Sequence, residues 1–431
     1  MALPGTWVAK EKRRTRRLKI AMQRVRVSSD YLPAKRLGDS QICLVPKFRI
    51  SAGPGAATAP SWEVESSDGT LLQPIIPGLP DHVALNCLVR VPVENHSVCR
   101  AVCRTWRSLF YTKQRFFTWR KILGFHSPWL FLLALESWSG KLQGLLLNLS
   151  CPSTWHPVPP IPSKRRLEAR SFGCAAIPQE GTLFLCGGMM SDEDCPLDIV
   201  LKFEMLKNRW TVVKPMPAAR SFFAARKIGS YIYAAGGKSS DVRELNSAQV
   251  FDIAKEDWQP IVDMRVAMPS YDSAVLDGKL LVTEGWIWPF MFAPRGQVYD
   301  PKIDRWEMMA EGLCEGWTGP SVLLYDHLFV IPEHEEMKLK VYYSETDTWD
   351  TVEGNPMPEQ ISKPFSVNAC DSNIFVVGKN LHVALGKVEK QPFSASGSER
   401  KRLHTFSVKW QAVPAPESFR GWTPSNSLVH E

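Results

Sequence analysis

Residues 231–258 read YIYAAGGKSSDVRELNSAQVFDIAKEDW and contain three features that return elsewhere in the chain. An apolar run, Tyr231–Ala235, ends on the glycine pair Gly236-Gly237. A second apolar run ends on an aromatic residue and an aspartate, Phe251-Asp252, and Trp258 follows after a short polar turn. Short apolar and aromatic runs bounded by glycine and polar residues indicate β-strands joined by turns.

The tryptophan marks the period of the repeat. It recurs as Trp155, Trp210, Trp258, Trp306, Trp349 and Trp410, with gaps of 55, 48, 48, 43 and 61 residues. Insertions fall in loops rather than in strands, so two equal gaps flanked by looser ones indicate a repeated strand-rich unit. Six markers predict a mainly β fold, a six-bladed β-propeller, with the tryptophans as large apolar side chains between neighbouring sheets.

The other two features recur less regularly. Gly187-Gly188 and Tyr299-Asp300 repeat them, whereas Glu284-Gly285, Ile331-Pro332 and Val377-Gly378 replace the glycine pair in later units and leave blade geometry there less defined. The order of glycine pair, aromatic-aspartate and tryptophan resembles the kelch repeat. The resemblance covers residues 125–431, which we assign to the propeller.

The first unit is one strand short, with only 129–133 and 142–147 ahead of the Trp155 strand. Arg220-Ser221 lies ten residues after Trp210 and opens the next unit. Arg420-Gly421 lies ten residues after Trp410. We therefore predict that a strand within 424–431 closes the first blade and removes an open sheet edge.

Residues 79–123 carry a helical pattern instead. We expect Asp81 to cap a first helix and Asn95 to cap a second, with a third helix near Phe116. The apolar residues of the first two are Val83, Ala84, Cys87, Leu88 and Val91, then Val98, Val102, Trp106 and Leu109. We expect Cys103 to pack in the helical core.

Leu79-Pro80-Asp81 and Val102-Cys103-Arg104-Thr105-Trp106 lie in this segment, and together they resemble the F-box motif. The resemblance assigns residues 73–124 to an F-box that docks onto a Skp-type adaptor and, through it, a cullin. It implies adaptor contacts from Leu79, Pro80, Leu85, Leu88, Val98 and Val102, and leaves open which of these face the box's own core. The alternative is a helical hairpin packed on the propeller.

Charge is concentrated at the N-terminus. The first fifty residues hold 13 Lys and Arg and 3 Asp and Glu, which leaves 39 basic and 41 acidic residues in the rest of the chain. The folded part therefore has no global basic field, and nucleic acid is not a predicted partner. We expect residues 1–72 to be a disordered tail and linker, in which the basic run 10–19 is either a nuclear-localisation patch or a solvated segment.

Ten scattered cysteines without a CxxC pair suit a reducing compartment, and we expect the protein in the nucleus, the cytoplasm or both. The sequence predicts neither a signal peptide nor a membrane span.

Catalytic and cofactor motifs are not found in the sequence. Gly237-Lys238-Ser239 resembles the end of a P-loop, but Ile232 stands where its first glycine is needed. Cys99 and Cys103 have no neighbours to complete a zinc site, and the histidines are dispersed. We predict no catalytic residue, no metal and no cofactor, although spacing cannot assess residues that meet at a central channel.

One loop is the predicted target-binding site. After the strand at 280–283 the chain is dense in aromatic residues, and we select Trp286, Trp288, Phe290, Phe292 and Arg295, because exposed aromatics beside arginine are typical of binding hot spots. The alternative is that these rings pack under the loop. The matching loop at 191–195 is acidic.

An F-box followed by a kelch propeller implies the substrate-recognition subunit of a Skp-cullin-F-box ubiquitin ligase, a non-catalytic role exerted by proximity. The partners implied are the adaptor and an unidentified target protein. The alternative is a propeller scaffold outside the ubiquitin system.

Overall fold

The computed structural model describes residues 74–91, 95–112, 116, 120, 123, 125, 128–149, 155–162, 171–177, 181–190, 195–241, 243–286, 293–392, 404–413 and 415–430. The predicted tail, with its basic run at 10–19, lies outside them. None of the helices within these ranges has the length and apolar character needed to cross a bilayer.

The described part of the chain is mainly β-strand. In chain order, β1–β9 are Trp129–Glu136, Lys141–Asn148, Trp155–Pro157, Phe172–Ile177, Thr182–Gly187, Met189–Met190, Cys195–Pro196, Val200–Glu204 and Arg209–Val212. β10–β18 are Ala224–Ile228, Tyr231–Ala235, Ala248–Asp252, Asp257–Ile261, Asp272–Leu276, Lys279–Thr283, Gly296–Asp300, Arg305–Met308 and Ser321–Leu324. β19–β27 are His327–Val330, Lys340–Tyr343, Thr348–Thr351, Glu353–Gly354, Ser366–Cys370, Asn373–Val377, Val383–Pro392, His404–Val413 and Trp422–His430.

These strands build six blades within the described residues, each an antiparallel meander of four strands. The blades, written from the inner strand outward, are β27-β1-β2-β3, β4-β5-β8-β9, β10 to β13, β14 to β17, β18 to β21 and β23 to β26. The short β22 adds to β26 in parallel, and β6 and β7 form a separate hairpin. The six inner strands neighbour one another in a closed ring, which confirms the six-bladed propeller.

The ring closes between the two ends of the propeller sequence. β27 pairs antiparallel with β1, from Glu136 opposite Trp422 to Trp129 opposite His430. This confirms the predicted closing strand, which begins at Trp422 rather than at Pro424. β1 is paired with β27 on both sides of a register shift between Leu132 and Ala134, so the first blade has no open edge there.

The repeated tryptophans stabilise the contacts between blades. Trp210, Trp258, Trp306 and Trp349 each pack, with tilted ring planes, against the aromatic residue opposite in the third strand, at centroid distances of 4.9, 5.0, 5.0 and 5.3 Å. Their indole N–H groups donate to carbonyls of the segment that leaves the preceding blade: Pro159, Lys214, Val262 and Gly312, at 2.9, 3.2, 2.9 and 3.0 Å. The tryptophans are therefore structural.

The glycine pair is required only where the backbone is crowded. Gly188 has φ +99°, and a Cβ there would lie 2.3 Å from the ring of Phe172. Later blades use other backbone geometry: Gly378, for example, has φ −98°. Four-stranded blades form there all the same, because the meander depends on strand pairing and not on the pair of glycines.

Ahead of the propeller, the described residues form three short helices: α1 (Asp81–Val89), α2 (His96–Val102) and α3 (Arg104–Thr112). The predicted helix near Phe116 lies mostly outside the described residues. A fourth, α4 (Glu311–Gly316), joins β17 to β18, and 3₁₀ turns span Met205–Lys207, Lys379–Leu381 and Glu417–Phe419. Pro80, not Asp81, occupies the cap position of α1, and the Asp81 carboxylate accepts the Ile75 N–H at 3.0 Å. Asn95 does occupy the cap position of α2, but its side chain makes no capping bond.

The second predicted helix is interrupted. Cys103 is extended, with φ −157° and ψ 171°, and separates α2 from α3. Its sulfur accepts the Trp106 N–H at 3.4 Å and its carbonyl accepts the Arg107 N–H, so it caps α3. Cys103 is consequently exposed, and its predicted place in the helical core was wrong.

Candidate functional site

The helical segment has a core of its own. It is formed by Leu85, Leu88, Val89, Cys99, Leu109, Phe110 and Phe116. Arg120, 5% exposed, donates to the carbonyls of Val89, Val91 and Phe125, the last two at 2.6 and 2.8 Å, and so satisfies the C-terminal end of α1. The Trp106 indole donates to the Ile75 carbonyl at 2.7 Å and holds the segment before α1.

The structure separates the six predicted adaptor residues into two sets. Leu85 and Leu88 are 8% and 2% exposed and belong to the core of the helical segment. Leu79, Val98 and Val102 are 38%, 66% and 58% exposed, and Pro80 is exposed as well. Val98 and Val102 lie one turn apart on α2 and therefore share a face. Of the six predicted residues, only these four are exposed enough to contact an adaptor, and that contact stays a prediction.

The predicted target loop is only partly described. Trp288, Phe290 and Phe292 lie outside the described residues. Trp286 is half-buried, and its indole N–H donates to the Glu315 carbonyl at 2.9 Å.

Arg295 closes this loop instead of standing free. Its guanidinium donates to Glu284 at 2.5 and 2.8 Å, to Glu244 at 3.1 Å and to the Ala267 carbonyl at 3.0 Å. The hydrogen bonds that Arg295 donates to Glu284, strengthened by the negative charge of that carboxylate, raise the pKa of Arg295 above its usual value. These bonds hold the two ends of the loop together, so the contacts of Arg295 fix the conformation of the loop.

Consecutive strands of a meander alternate in direction. In each blade, the second strand therefore ends, and the third begins, at the face of the ring where the inner strand begins. We call this the loop face. It carries the predicted target loop, which begins at Trp286. It also carries Trp138, whose side chain is 86% exposed in the turn between β1 and β2. Sequence reasoning missed Trp138, although an aromatic residue in the tight turn Ser137-Trp-Ser-Gly140 is a signal. Of the acidic loop, 191–194 lie outside the described residues.

A cavity of about 330 Å³ opens at the centre of the loop face. Inner strands of all six blades contribute to its wall. Five serines line it: Ser270, Ser273, Ser321, Ser366 and Ser425. The sequence holds a signal for four of them, because Ser270, Ser321, Ser366 and Ser425 continue a series that begins with Ser171 and Ser221 and recurs at gaps of 50, 49, 51, 45 and 59.

Asp272 joins three blades in the wall of this cavity. Its carboxylate accepts the indole N–H of Trp317 at 3.2 Å and both the N–H and the hydroxyl of Ser321, at 2.8 and 2.6 Å. Arg226, from the preceding blade, lies at 3.3 Å. Burial raises the pKa of Asp272, against the opposing effects of Arg226 and Ser321.

Metal-binding chemistry finds no support in the described ranges, where no group of three or more His, Cys, Asp and Glu side chains could hold an ion. What the described part does offer is two surfaces: exposed apolar residues on a small helical segment, and a loop face with a polar cavity. Together they define a class of protein in which a small helical docking segment is joined to a propeller that has a separate surface for binding another molecule.

Comparison with known proteins identifies the family. The F-box domain model matches residues 76–118 and the Kelch motif matches 219–265. The F-box/kelch-repeat protein At1g30090 of Arabidopsis thaliana is 49% identical over 95% of this chain and 99% of its own length. The F-box protein AFR of the same plant is 34% identical over 85% and 95% of the two chains. This chain belongs to the plant F-box/kelch-repeat proteins.

Proposed function

We infer that this protein is the substrate-recognition subunit of a Skp-cullin-F-box ubiquitin ligase. The observation that carries the inference is the exposed apolar face of the F-box. Val98 and Val102 are more than half exposed beside a core that is otherwise well buried. Leaving such residues in water has no benefit for the fold, and a contiguous exposed apolar patch is typical of a protein interface.

The mechanism is proximity. The F-box holds the adaptor and, through it, the cullin and a ubiquitin-conjugating enzyme, while the loop face of the propeller holds the target. Joining the two raises the effective concentration of target lysines at the conjugating enzyme. The chain itself makes and breaks no bond.

Adaptor capture tests the proposal. The intact chain is incubated with an immobilised Skp-type adaptor, alongside Val98→Glu/Val102→Glu and Leu79→Ala/Pro80→Ala. Val212→Glu is the matched control, because Val212 is 69% exposed on β9 of the propeller. We expect capture of the intact chain and of the control, and a loss of at least about tenfold in affinity for the F-box variants, since a charge in a desolvated apolar contact is strongly unfavourable.

A folded intact chain that does not capture the adaptor would overturn the proposal. It would favour the alternative, a propeller scaffold that binds its partners outside the ubiquitin system.

A further inference from the structure

Two of the five serines that line the central cavity of the loop face can offer only hydrogen-bond acceptors to a ligand. The hydroxyl of Ser321 donates to the Asp272 carboxylate at 2.6 Å, and that of Ser270 donates to the Asp272 carbonyl at 3.0 Å. A hydroxyl has one proton and two lone pairs. With their protons used inside the protein, Ser270 and Ser321 can only accept from a molecule in the cavity.

The charged side chains in the wall of the cavity also favour a ligand that donates hydrogen bonds. Arg226, Asp272 and Glu333 are the charged residues that line the cavity. The Arg226 guanidinium is held by Asp272 at 3.3 Å and by the Ser273 carbonyl at 2.8 Å, so these two charges offset each other. Glu333 has no ion-pair partner within the part of the chain that is described, and the nearby Lys363 ammonium is bound to its backbone carbonyl instead.

Ser366 adds an unmet hydrogen bond. It is 6% exposed and lines the cavity, yet its hydroxyl oxygen has no hydrogen-bond partner within the described residues. A buried hydroxyl without a partner is unfavourable, and a ligand atom that pairs with it removes that penalty. The aromatic side chains of Tyr271 and Phe365 also line the cavity, and aromatic rings attract cations. The ring of Phe222, which lines it as well, already has the Lys238 ammonium 6.0 Å from its centroid.

We propose that this cavity binds the protonated side chain of a lysine or arginine that the target protein presents. An ammonium or guanidinium group has only donors, which matches Glu333 and the acceptor lone pairs of Ser270 and Ser321. An anionic side chain would find Arg226 already engaged. The inference rests on the proposed function, because it names the chemistry by which a target is recognised.

Peptide pools test it without knowledge of the target. Four pools of fluorescein-labelled heptapeptides carry random flanks around a fixed central lysine, arginine, norleucine or glutamate. Their binding to the intact chain is measured by fluorescence polarisation. We expect the lysine or arginine pool to bind at least about tenfold more tightly than the norleucine pool, which corresponds to one charge-assisted hydrogen bond.

Two variants connect this preference to the cavity. Glu333→Gln is expected to bring the basic and norleucine pools to equal affinity. The matched control is Glu336→Gln, three residues further along the chain. The Glu336 side chain is 74% exposed and paired with Lys338, so this variant removes the same charge and should keep the preference for the basic pools. Ser366→Ala should weaken the basic pools several-fold without lowering the midpoint of thermal unfolding, whereas a purely structural serine would lower that midpoint.

Equal affinity for all four pools, tighter binding of the glutamate pool, or an undiminished preference in Glu333→Gln would overturn the inference. Adaptor capture by the same preparation keeps the two proposals separate. A chain that captures the adaptor but lacks the preference loses only the cavity proposal, while one that shows the preference but does not capture the adaptor loses only the ligase proposal.

Discussion

The hydroxyl of Thr423 donates to the carbonyl of Leu135 at 3.3 Å, and the two residues are register partners in β27 and β1. One belongs to the last strand of the propeller and the other to the first. The inner strand of the first blade therefore comes from the C-terminus, and β27 neighbours the inner strands β4 and β23 on either side. The ring is closed by backbone pairing between the ends of its own sequence.

Removal of residues 422–431 should consequently destabilise the whole propeller. The deletion takes away the inner strand of the first blade and leaves the edge of β1 unpaired. We expect the midpoint of thermal unfolding to fall by more than about 10 °C and the protein to associate. Circular dichroism and size-exclusion chromatography measure both. Deletion of Glu431 alone is the control, and an unchanged midpoint in the longer deletion would contradict this account of closure.

Trp258→Phe tests the tryptophan contacts between blades. The indole of Trp258 is 6% exposed and donates to the Lys214 carbonyl at 3.2 Å. Phenylalanine keeps a ring but loses the donor and part of the volume, so we expect a loss of about 2 kcal/mol in the free energy of unfolding. Chemical denaturation measures it. Trp138→Phe is the same change at an 86% exposed site and should have no effect; equal losses in both variants would count against a structural role for Trp258.

The aromatic-aspartate motif predicts sensitivity to acid. The Asp252 carboxylate accepts the N–H groups of Ala254 and Lys255, and that of Asp300 accepts the N–H of Lys302. These bonds favour the ionised forms and hold the pKa of both carboxyls below the ordinary value of 3.8. The unfolded chain therefore binds protons more readily than the folded one, so stability from this source is present above about pH 4 and falls as the pH drops below it.

The variant Asp252→Asn/Asp300→Asn should lose part of this dependence. Its amide oxygens can still accept the same N–H groups but do not titrate, so the unfolding midpoint should fall less steeply between pH 5 and pH 3 than in the parent chain. Thermal scans across that range give the slopes. Asp277→Asn, in the exposed turn between β14 and β15, should leave the slope unchanged. Identical slopes in the parent and the double variant would exclude these two carboxyls as the source.

Core and surface residues of the F-box should behave differently. Leu88 is 2% exposed, and Leu88→Ala removes buried methyl groups at a loss of about 2–5 kcal/mol, enough to unfold so small a core. Val98→Ala, at a 66% exposed position, should leave stability within about 0.5 kcal/mol. Hydrogen exchange of α1 and α3 distinguishes them, with loss of protection expected only in Leu88→Ala. Protected helices in Leu88→Ala would show that the core does not depend on this leucine.

The parts of the fold that follow from local pattern could be predicted from the sequence. The spacing of Trp210, Trp258 and Trp306 reports the blade period, because each tryptophan has the same place in its strand and the same neighbour. The closing strand was also predictable, since the first unit lacked a strand and Arg420 stood at the position that Arg220 occupies after Trp210. The broken helix was not, because the stripe from Val98 to Leu109 is continuous in sequence and only the backbone of Cys103 interrupts it.

By itself the sequence determined the six blades, the closing strand and the family, because strand periodicity, repeat spacing and motif order are carried by residues close together in the chain. Tertiary structure alone decided which F-box residues are exposed, that Arg295 is held by Glu244 and Glu284, and that Ser270, Ser321, Glu333 and Ser366 line one cavity. The physical reason is that these relationships join different blades or different helices. Burial, charge pairing and the direction in which a hydroxyl donates exist only once those elements are packed together.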